Sequence, residues 1–274
     1  KIGRVLNVAA SMPSGTKQNF GSMTKPLHAG LCSRSGVTAA TLVSDGLTAG
    51  RAAISGEQGF YDLYDSSGRL FDRIEHTGFN IGNEWALQTE GIHMKAYPCC
   101  YFTHTAIAAT QGLLNSDIDP DAIKRIKVQA AGGAGDALTN PEPETGLEAK
   151  FSMEHAVACA VARDRIGLAE FENNAIDDSR LEALRELVEF EVDTSLSYDS
   201  HAATVQITTD TETFEHRQKN PPGIHEDPLS EDMFRAKFEA CASRAISSDD
   251  ASRIYKTLSS LSEIEDVAAT LRAM

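Results

Sequence analysis

Two lysines sit where little else would hold a cation. Lys25 lies within Asn19-Phe20-Gly21-Ser22-Met23-Thr24-Lys25-Pro26-Leu27-His28-Ala29-Gly30, and Lys95 opens Lys95-Ala96-Tyr97-Pro98-Cys99-Cys100. The chain has 25 Lys+Arg against 40 Asp+Glu, a net charge of −15. Carboxylates are plentiful, yet neither segment contains one. Lysines among small, apolar and Pro/Gly residues read as receptors for an anion. Around Lys25 the Gly, Ser and Thr residues offer backbone N–H groups to a carboxylate. If a helix starts there, Thr24 and Lys25 sit at its head with His28 at i+3, and the helix dipole adds to the attraction. A solvated loop lysine is the competing reading, and spacing leaves both open.

At the second lysine, Tyr97-Pro98 forces an extended or turning backbone. Thr103 then stands as the N-cap of a helix over 105–114. The chain thus delivers Lys95 and Cys100 to a helix head, where a thiol's pKa falls and an anion is favoured. Two buried structural cysteines fit the same residues equally well. His104 suits a capping or loop-bonding role. His155, in Ser152-Met153-Glu154-His155-Ala156-Val157-Ala158-Cys159, is either an acid–base group or a satisfied core histidine.

The elements that must position these groups change character along the chain. Residues 1–92 read as helix and loop. Ile2, Val5, Leu6 and Ala9 form a helical stripe from the first residues. A core helix with nothing before it to pack on predicts that an N-terminal part of the domain is missing from this chain. Residues 36–47 have a small, apolar face suited to close helix packing. A turn over 55–60 precedes an aromatic cluster of Phe60, Tyr61, Tyr64 and Phe71.

From 93 to 220 the pattern is α+β. Residues 123–130 and 190–193 alternate as strands, and 203–209 with 213–217 flank a hairpin turn. Helices are expected over 152–163 and after the capping residue Asp178. After Pro221-Pro222-Gly223 the chain is helical to its end, with Ser262-x-x-Glu265 as a capping box before the last helix. The fold class expected is mainly α: a discontinuous all-helical domain (1–92 and 221–274) with an inserted smaller α+β lid domain (93–220), and a ligand cleft between them.

Composition removes several functions. The acidic balance argues against nucleic acid and anionic membrane surfaces. No membrane-length apolar run or signal peptide is present, so a cytoplasmic location is the default expectation. Five cysteines, Cys32, Cys99, Cys100, Cys159 and Cys241, include no C-x-x-C pair and give no disulfide framework, zinc site or iron–sulfur pattern. GxSxG, P-loop and HExxH motifs are absent.

Asn19 to Gly30 resembles the signature stretch of the MmgE/PrpD family. Lys95-Ala96-Tyr97-Pro98-Cys99-Cys100-x-x-x-His104 is similar to its second motif and Lys150-Phe151-Ser152-Met153-Glu154-His155 to its third. Gly223-x-x-x-Asp227-Pro228-Leu229-Ser230 is similar to its return into C-terminal helices. Four blocks in order are far more specific than any one. The resemblance implies a helical domain with an α+β lid, a homodimer, no metal or organic cofactor, and small di- or tricarboxylate substrates such as a 2-methylcitrate-like acid.

The resemblance also assigns roles. Lys25 and Lys95, with Thr24 and His28, would bind substrate carboxylates, and Cys100 and His155 would be the catalytic candidates. Cys100 stands where the family's decarboxylases have His, and His155 where they have Tyr. Both departures weaken a decarboxylase assignment; the function expected is a dehydratase-type lyase, with an epimerase/racemase or decarboxylase of the same family as alternatives. The family's remaining active-site residues lie in an N-terminal helical region that this chain lacks. A non-catalytic fragment, or a subunit that needs a separate N-terminal helical chain, is therefore a further alternative.

Overall fold

The computed structural model describes residues 1–64, 83, 85–115 and 118–272. They fall into two compact units, Lys1–Glu90 and Gly91–Met274.

The first unit is helical. Helix α1 (Ile2–Ala9) packs on α2 (Thr24–Ser44), and a short α3 (Phe60–Tyr64) follows. Helix α2 starts twelve residues before the apolar face read from the sequence, so the Lys25 segment forms its first turns. Few of its side chains are buried: Ala39 and Val43 are, while Leu27, Val37 and Leu42 are exposed. The Phe60 and Tyr64 rings stack with centroids 4.7 Å apart, and Tyr61 joins them at 6.0 Å. Phe71 of the expected cluster lies outside the described residues.

The second unit is organised by a sheet of four strands in the order β2-β1-β3-β4: β1 (Ile123–Ala130), β2 (Val188–Val192), β3 (Ala203–Thr209) and β4 (Thr213–Gln218). Central β1 pairs parallel with β2 and antiparallel with β3, whose hairpin continues into β4. Register aligns Ile126 with Ile207, Val128 with Val205 and Ala130 with Ala203. Side chains alternate across a strand, so these six, all buried, make one apolar face. The other face is charged: Lys127 reaches Glu191 at 2.8 Å, and Arg125 makes a bidentate pair with Glu189. Such exposed pairs contribute little stability.

Helix α4 (His104–Leu114) lies across β3 and β4. It also packs on α5 (Met153–Ala162), which in turn packs on α6 (Ser179–Arg185). Ala, Val and Met faces on α4 and α5 let these backbones approach and complete the core.

Caps fix the helix starts. Ser152 Oγ accepts from the His155 N–H at 3.0 Å. Asp178 Oδ1 accepts from the N–H groups of Arg180 (2.9 Å) and Leu181 (3.3 Å), while Oδ2 accepts from Arg163 Nη2 at 2.5 Å. Replacing Asp178 by Ala should cost about 1 kcal/mol, read as a lower urea midpoint at unchanged slope. Two expected caps differ from the structure. The Thr103 hydroxyl turns back to the Cys100 carbonyl (2.8 Å), because a 3₁₀ turn over Tyr101–Thr103 leads into α4. Near the C-terminus Asp266, not Ser262, caps the last helix, accepting from the Ala269 N–H at 2.8 Å.

Helices α7 (Glu231–Ala242) and α8 (Ser248–Ser259) pair through Tyr255, whose ring lies 5.4 Å from Phe238 and 6.1 Å from Phe234. Helix α9 (Val267–Arg272) ends the described chain. The expectation of a mainly α chain is overturned. The larger unit is α+β around a mixed sheet, and its main core cluster lies wholly between Tyr97 and Ile207. The helical ends dominate the sequence pattern, but packing centres on strands whose partners are distant along the chain.

Candidate functional site

In the first unit the Lys25 segment forms a helix head. Gly21 takes φ +85°, a left-handed conformation that glycine adopts without strain. Ser22 Oγ donates to the Asn19 carbonyl at 2.8 Å and receives the Thr24 N–H at 3.3 Å. Thr24 and Lys25 occupy the first turn of α2, with no acidic residue there, and all of Thr24, Lys25 and His28 are half-buried. Lys25 Nζ lies 5.0 Å from the Phe20 ring centroid, a cation–π distance. The His28 ring packs close to Gly15, where a Cβ would come within 3.2 Å of it.

In the second unit the Lys95–Cys100 loop gathers charge of one sign. Lys95 Nζ donates to the Cys99 carbonyl at 2.9 Å and lies 6.0 Å from the Tyr101 ring. Lys237, from α7, donates its ammonium to the Lys95 carbonyl. The Cys100 N–H donates to the Lys150 carbonyl at 2.8 Å, tying the second sequence motif to the third. Among the described residues no carboxylate stands within ion-pair distance of Lys95, Lys150 or Lys237. In a chain of net charge −15, the Lys95 and Lys237 ammonium groups at this loop, with the Lys150 charge also acting on Cys99, make a local anion-attracting field. Sequence reasoning misses Lys150 and Lys237 as site residues. Lys237 lies 142 positions from Lys95 and carries no local signal.

The two cysteines separate in role. Cys99 is buried beside Thr103 Oγ1 (3.1 Å), and burial pushes its thiol up to about 12, which leaves it an inert thiol. Cys100 is half-buried and is the more accessible sulfur.

His155 is completely buried in α5. Arg185 Nη1 lies 3.3 Å from Nδ1 and can only donate, so Nδ1 accepts and Nε2 carries the proton. Nε2 then donates to the Glu170 carbonyl at 2.7 Å, with Cys159 Sγ also 3.4 Å away. Burial, reinforced by Arg185, lowers its pKa. Both nitrogens are engaged inside the core, so a proton-transfer role would require an opening that the described unit does not have. The run Ala156-Val157-Ala158 beside it is the available signal, since a helix apolar on all sides is a buried helix.

His104 is also fully buried, edge-on to Tyr97 and Tyr101 with centroids 5.1 Å away in each case. Neither ring nitrogen has a partner of hydrogen-bond geometry among the described residues. Burial, then the Lys95 charge, pushes its pKa down to about 3; the nearby Cys99 and Tyr97 carbonyls oppose the shift, and Lys237 adds to it. The folded state therefore holds His104 neutral while the unfolded chain takes a proton near 6.5. Stability is full above that value and is lost as pH falls toward 3. Acidification from pH 7 to 5 should remove about 2 kcal/mol through this group alone, measured by urea unfolding across pH. His104→Phe, which keeps the ring contacts, should flatten that dependence.

A cavity of about 550 Å³ opens in the same unit, lined by groups that include His93, Tyr101, Ser200, His201, Lys219 and Glu226. Two of its residues carry buried polar atoms that find no partner among the described residues: the Tyr101 hydroxyl and His201 Nδ1. The Tyr101 and His201 rings meet edge-on at 4.8 Å. The Met94 N–H donates to the Gly223 carbonyl at 2.7 Å, joining the segments that carry His93 and Ile224. Among the described residues no cluster of His, Cys, Asp or Glu could hold a metal ion, and no helix is long and apolar enough to cross a membrane.

Comparison with known proteins places this arrangement. The model of the MmgE/PrpD C-terminal domain matches residues 97–263, more than half of the chain. The chain is similar to cis-aconitate decarboxylase from Homo sapiens, 27% identical over 277 residues, covering 97% of this chain and 56% of that protein. It is similar to cis-aconitate decarboxylase from Mus musculus, 25% identical over 285 residues, covering 100% and 57%. It also matches cis-aconitate decarboxylase-like protein oryM from Aspergillus oryzae, 25% identical over 267 residues, covering 92% and 55%. The chain spans about half the length of these curated relatives.

Proposed function

The chain belongs to the MmgE/PrpD family, and from that premise we propose that it is a cofactor-independent lyase, or the larger part of one, acting on a small di- or tricarboxylate. The observation that carries the reading is the lysine group at the Tyr97–Cys100 loop, which has no carboxylate within ion-pair distance among the described residues of a strongly acidic chain. The reaction is dehydration of a 2-methylcitrate-like hydroxy acid. A base takes the proton from the carbon next to a carboxylate. The electron pair left behind spreads into that carboxylate, and hydroxide leaves the neighbouring carbon as water after accepting a proton.

The expensive species is the doubly charged enolate, and preorganised ammonium groups stabilise charge that develops there. Lys95 takes that role in the second unit, and the Thr24, Lys25 and His28 group at the head of α2 is a separate carboxylate-binding candidate in the first. Acid–base work falls to Cys100, the accessible thiol, while His155 holds the α5 core in its neutral tautomer.

Decarboxylation is the second reading, favoured by the activity named for the relatives. It is opposed by Cys100 and His155, which differ from the residues expected of decarboxylases. The test is proton–deuterium exchange at the carbon beside the carboxylate, followed by NMR on a panel of citrate-like acids. Exchange with water release supports the lyase. Carbon dioxide release selects the second reading. No exchange by the chain alone, restored by adding the remaining helical region of a relative, would show that a split or partial site is the unit of activity. No exchange in either case overturns the proposal.

A further inference from the structure

Lys95 is held in place by chain that follows the sheet. The Met94 N–H before it donates to the Gly223 carbonyl at 2.7 Å, and the Lys95 carbonyl accepts from the Lys237 ammonium. The far end of the loop is tied elsewhere. There the Cys100 N–H donates to the Lys150 carbonyl at 2.8 Å, and Thr103 Oγ1 donates to the Cys100 carbonyl at 2.8 Å. Lys95 Nζ spans the loop to the Cys99 carbonyl at 2.9 Å, so the aim of the ammonium follows the backbone at both ends.

Both anchors at the Lys95 end come from the fourth sequence block and the helix it starts. Gly223 takes φ +88°, and a Cβ there would collide with the Met94 carbonyl oxygen. Only glycine lets the two backbones come this close. The Gly223 N–H donates to the Asp227 carbonyl at 3.0 Å, and the Asp227 N–H to the Ile224 carbonyl at 3.2 Å, which closes a tight turn. Ser230 Oγ then accepts from the Met233 N–H at 3.3 Å and caps α7. Lys237 stands about two helical turns further on. The turn and the cap therefore set where its ammonium arrives.

Helix α7 has no fully buried side chain. Its Phe234 and Phe238 rings face Tyr255 of α8, and the main core cluster does not include it. Just past its end Arg244 pairs with Glu172. The helix lies on the α+β unit as a strap, anchored by a glycine turn at one end and by charged contacts along its length.

We propose that Gly223 and Lys237 are positioning residues for Lys95, and that this is the role of the fourth sequence block. The inference rests on the part given above to Lys95 in carboxylate chemistry. Neither residue needs to touch the substrate. Lys237 acts through the Lys95 carbonyl and Gly223 through the Met94 N–H. Because Gly223 carries no charge, its substitution changes the aim of the Lys95 ammonium without changing the number of charges around it.

The experiment is amide hydrogen exchange of the whole chain, read by mass spectrometry, for Gly223→Ala, Lys237→Met and the control Lys127→Met. Exchange over residues 94–97 should rise about tenfold in the first two, the loss of about one hydrogen bond. Exchange in β1 should not change, because the core includes neither residue. Lys127→Met removes an ammonium from the charged face of the sheet and should leave residues 94–97 as they are. In the proton-exchange assay both strap variants should lower kcat about tenfold with KM within about twofold, since a misaimed ammonium fails chiefly in the transition state. Lys237→Met leaves the backbone turn intact, so it decides the matter even where Gly223→Ala does not fold. Unchanged exchange over 94–97 in the folded strap variants overturns the proposal. An equal rise in β1 also overturns it, since that is general loosening. A loss confined to KM would make Lys237 a substrate contact instead. If the unaltered chain has no lyase activity the proposed function falls, and amide exchange still decides whether the strap holds the loop.

Discussion

Ile126→Ala should lower the unfolding free energy of the second unit by about 2–5 kcal/mol. Ile126 is fully buried on the central strand, between Val188 of the parallel neighbour and Ile207 of the antiparallel one. Truncation loses the transfer energy of three carbons and leaves a hole that two neighbouring strands cannot both move to fill. Val192→Ala, at a 45% exposed position on β2, should change stability by no more than about 0.5 kcal/mol. Urea unfolding followed by circular dichroism reads both. A loss below about 1 kcal/mol for Ile126→Ala at unchanged slope would mean that the stability of this unit is not organised about β1.

That strand is legible in the amino-acid pattern, and its partners are not. Residues 123–130 alternate as a half-exposed strand does, and the hairpin 203–217 announces itself through Asp210 and its flanking β-branched residues. Both carry local signals that the structure bears out in its strand bounds. The parallel pairing of β1 with β2 has no local signal. Ile126 and Val188 meet only after the chain passes through α5 and α6, and period-2 patterning says which face a residue takes, not which strand lies beside it. The weight of the helical ends then misleads the fold class, since α1 and α2 bury few of their apolar side chains among the described residues.

The candidate site divides in the same way. Pro98 and the periodic helix after it make the Lys95–Cys100 loop readable, because both act on adjacent residues. The head of α2 is readable from its Gly, Ser and Thr residues. Lys237 and the pair Tyr101–His201 are not, because contacts between segments far apart along the chain, 142 residues for Lys237 and Lys95, leave nothing in any short window. His155 shows the converse case. Its helix is evident in the sequence, but its place among Ala156, Val157 and Ala158 on a fully apolar helix points inward, and the structure puts it there.

Lys25→Ala and Lys95→Ala should each lower the rate of carboxylate-directed proton exchange by about 10²–10³. On the proposed mechanism, each removes an ammonium that stabilises developing enolate charge. Neither loss should come from unfolding. A cation in the first turn opposes the helix dipole by about 0.3–1 kcal/mol, which offsets the cation–π contact of Lys25 with Phe20 at about the same size. Lys95→Met keeps the aliphatic stem and removes only the charge and the bond to the Cys99 carbonyl, so it separates packing from electrostatics. Unchanged exchange in Lys25→Ala, with the urea midpoint also unchanged, would remove the head of α2 from the site altogether.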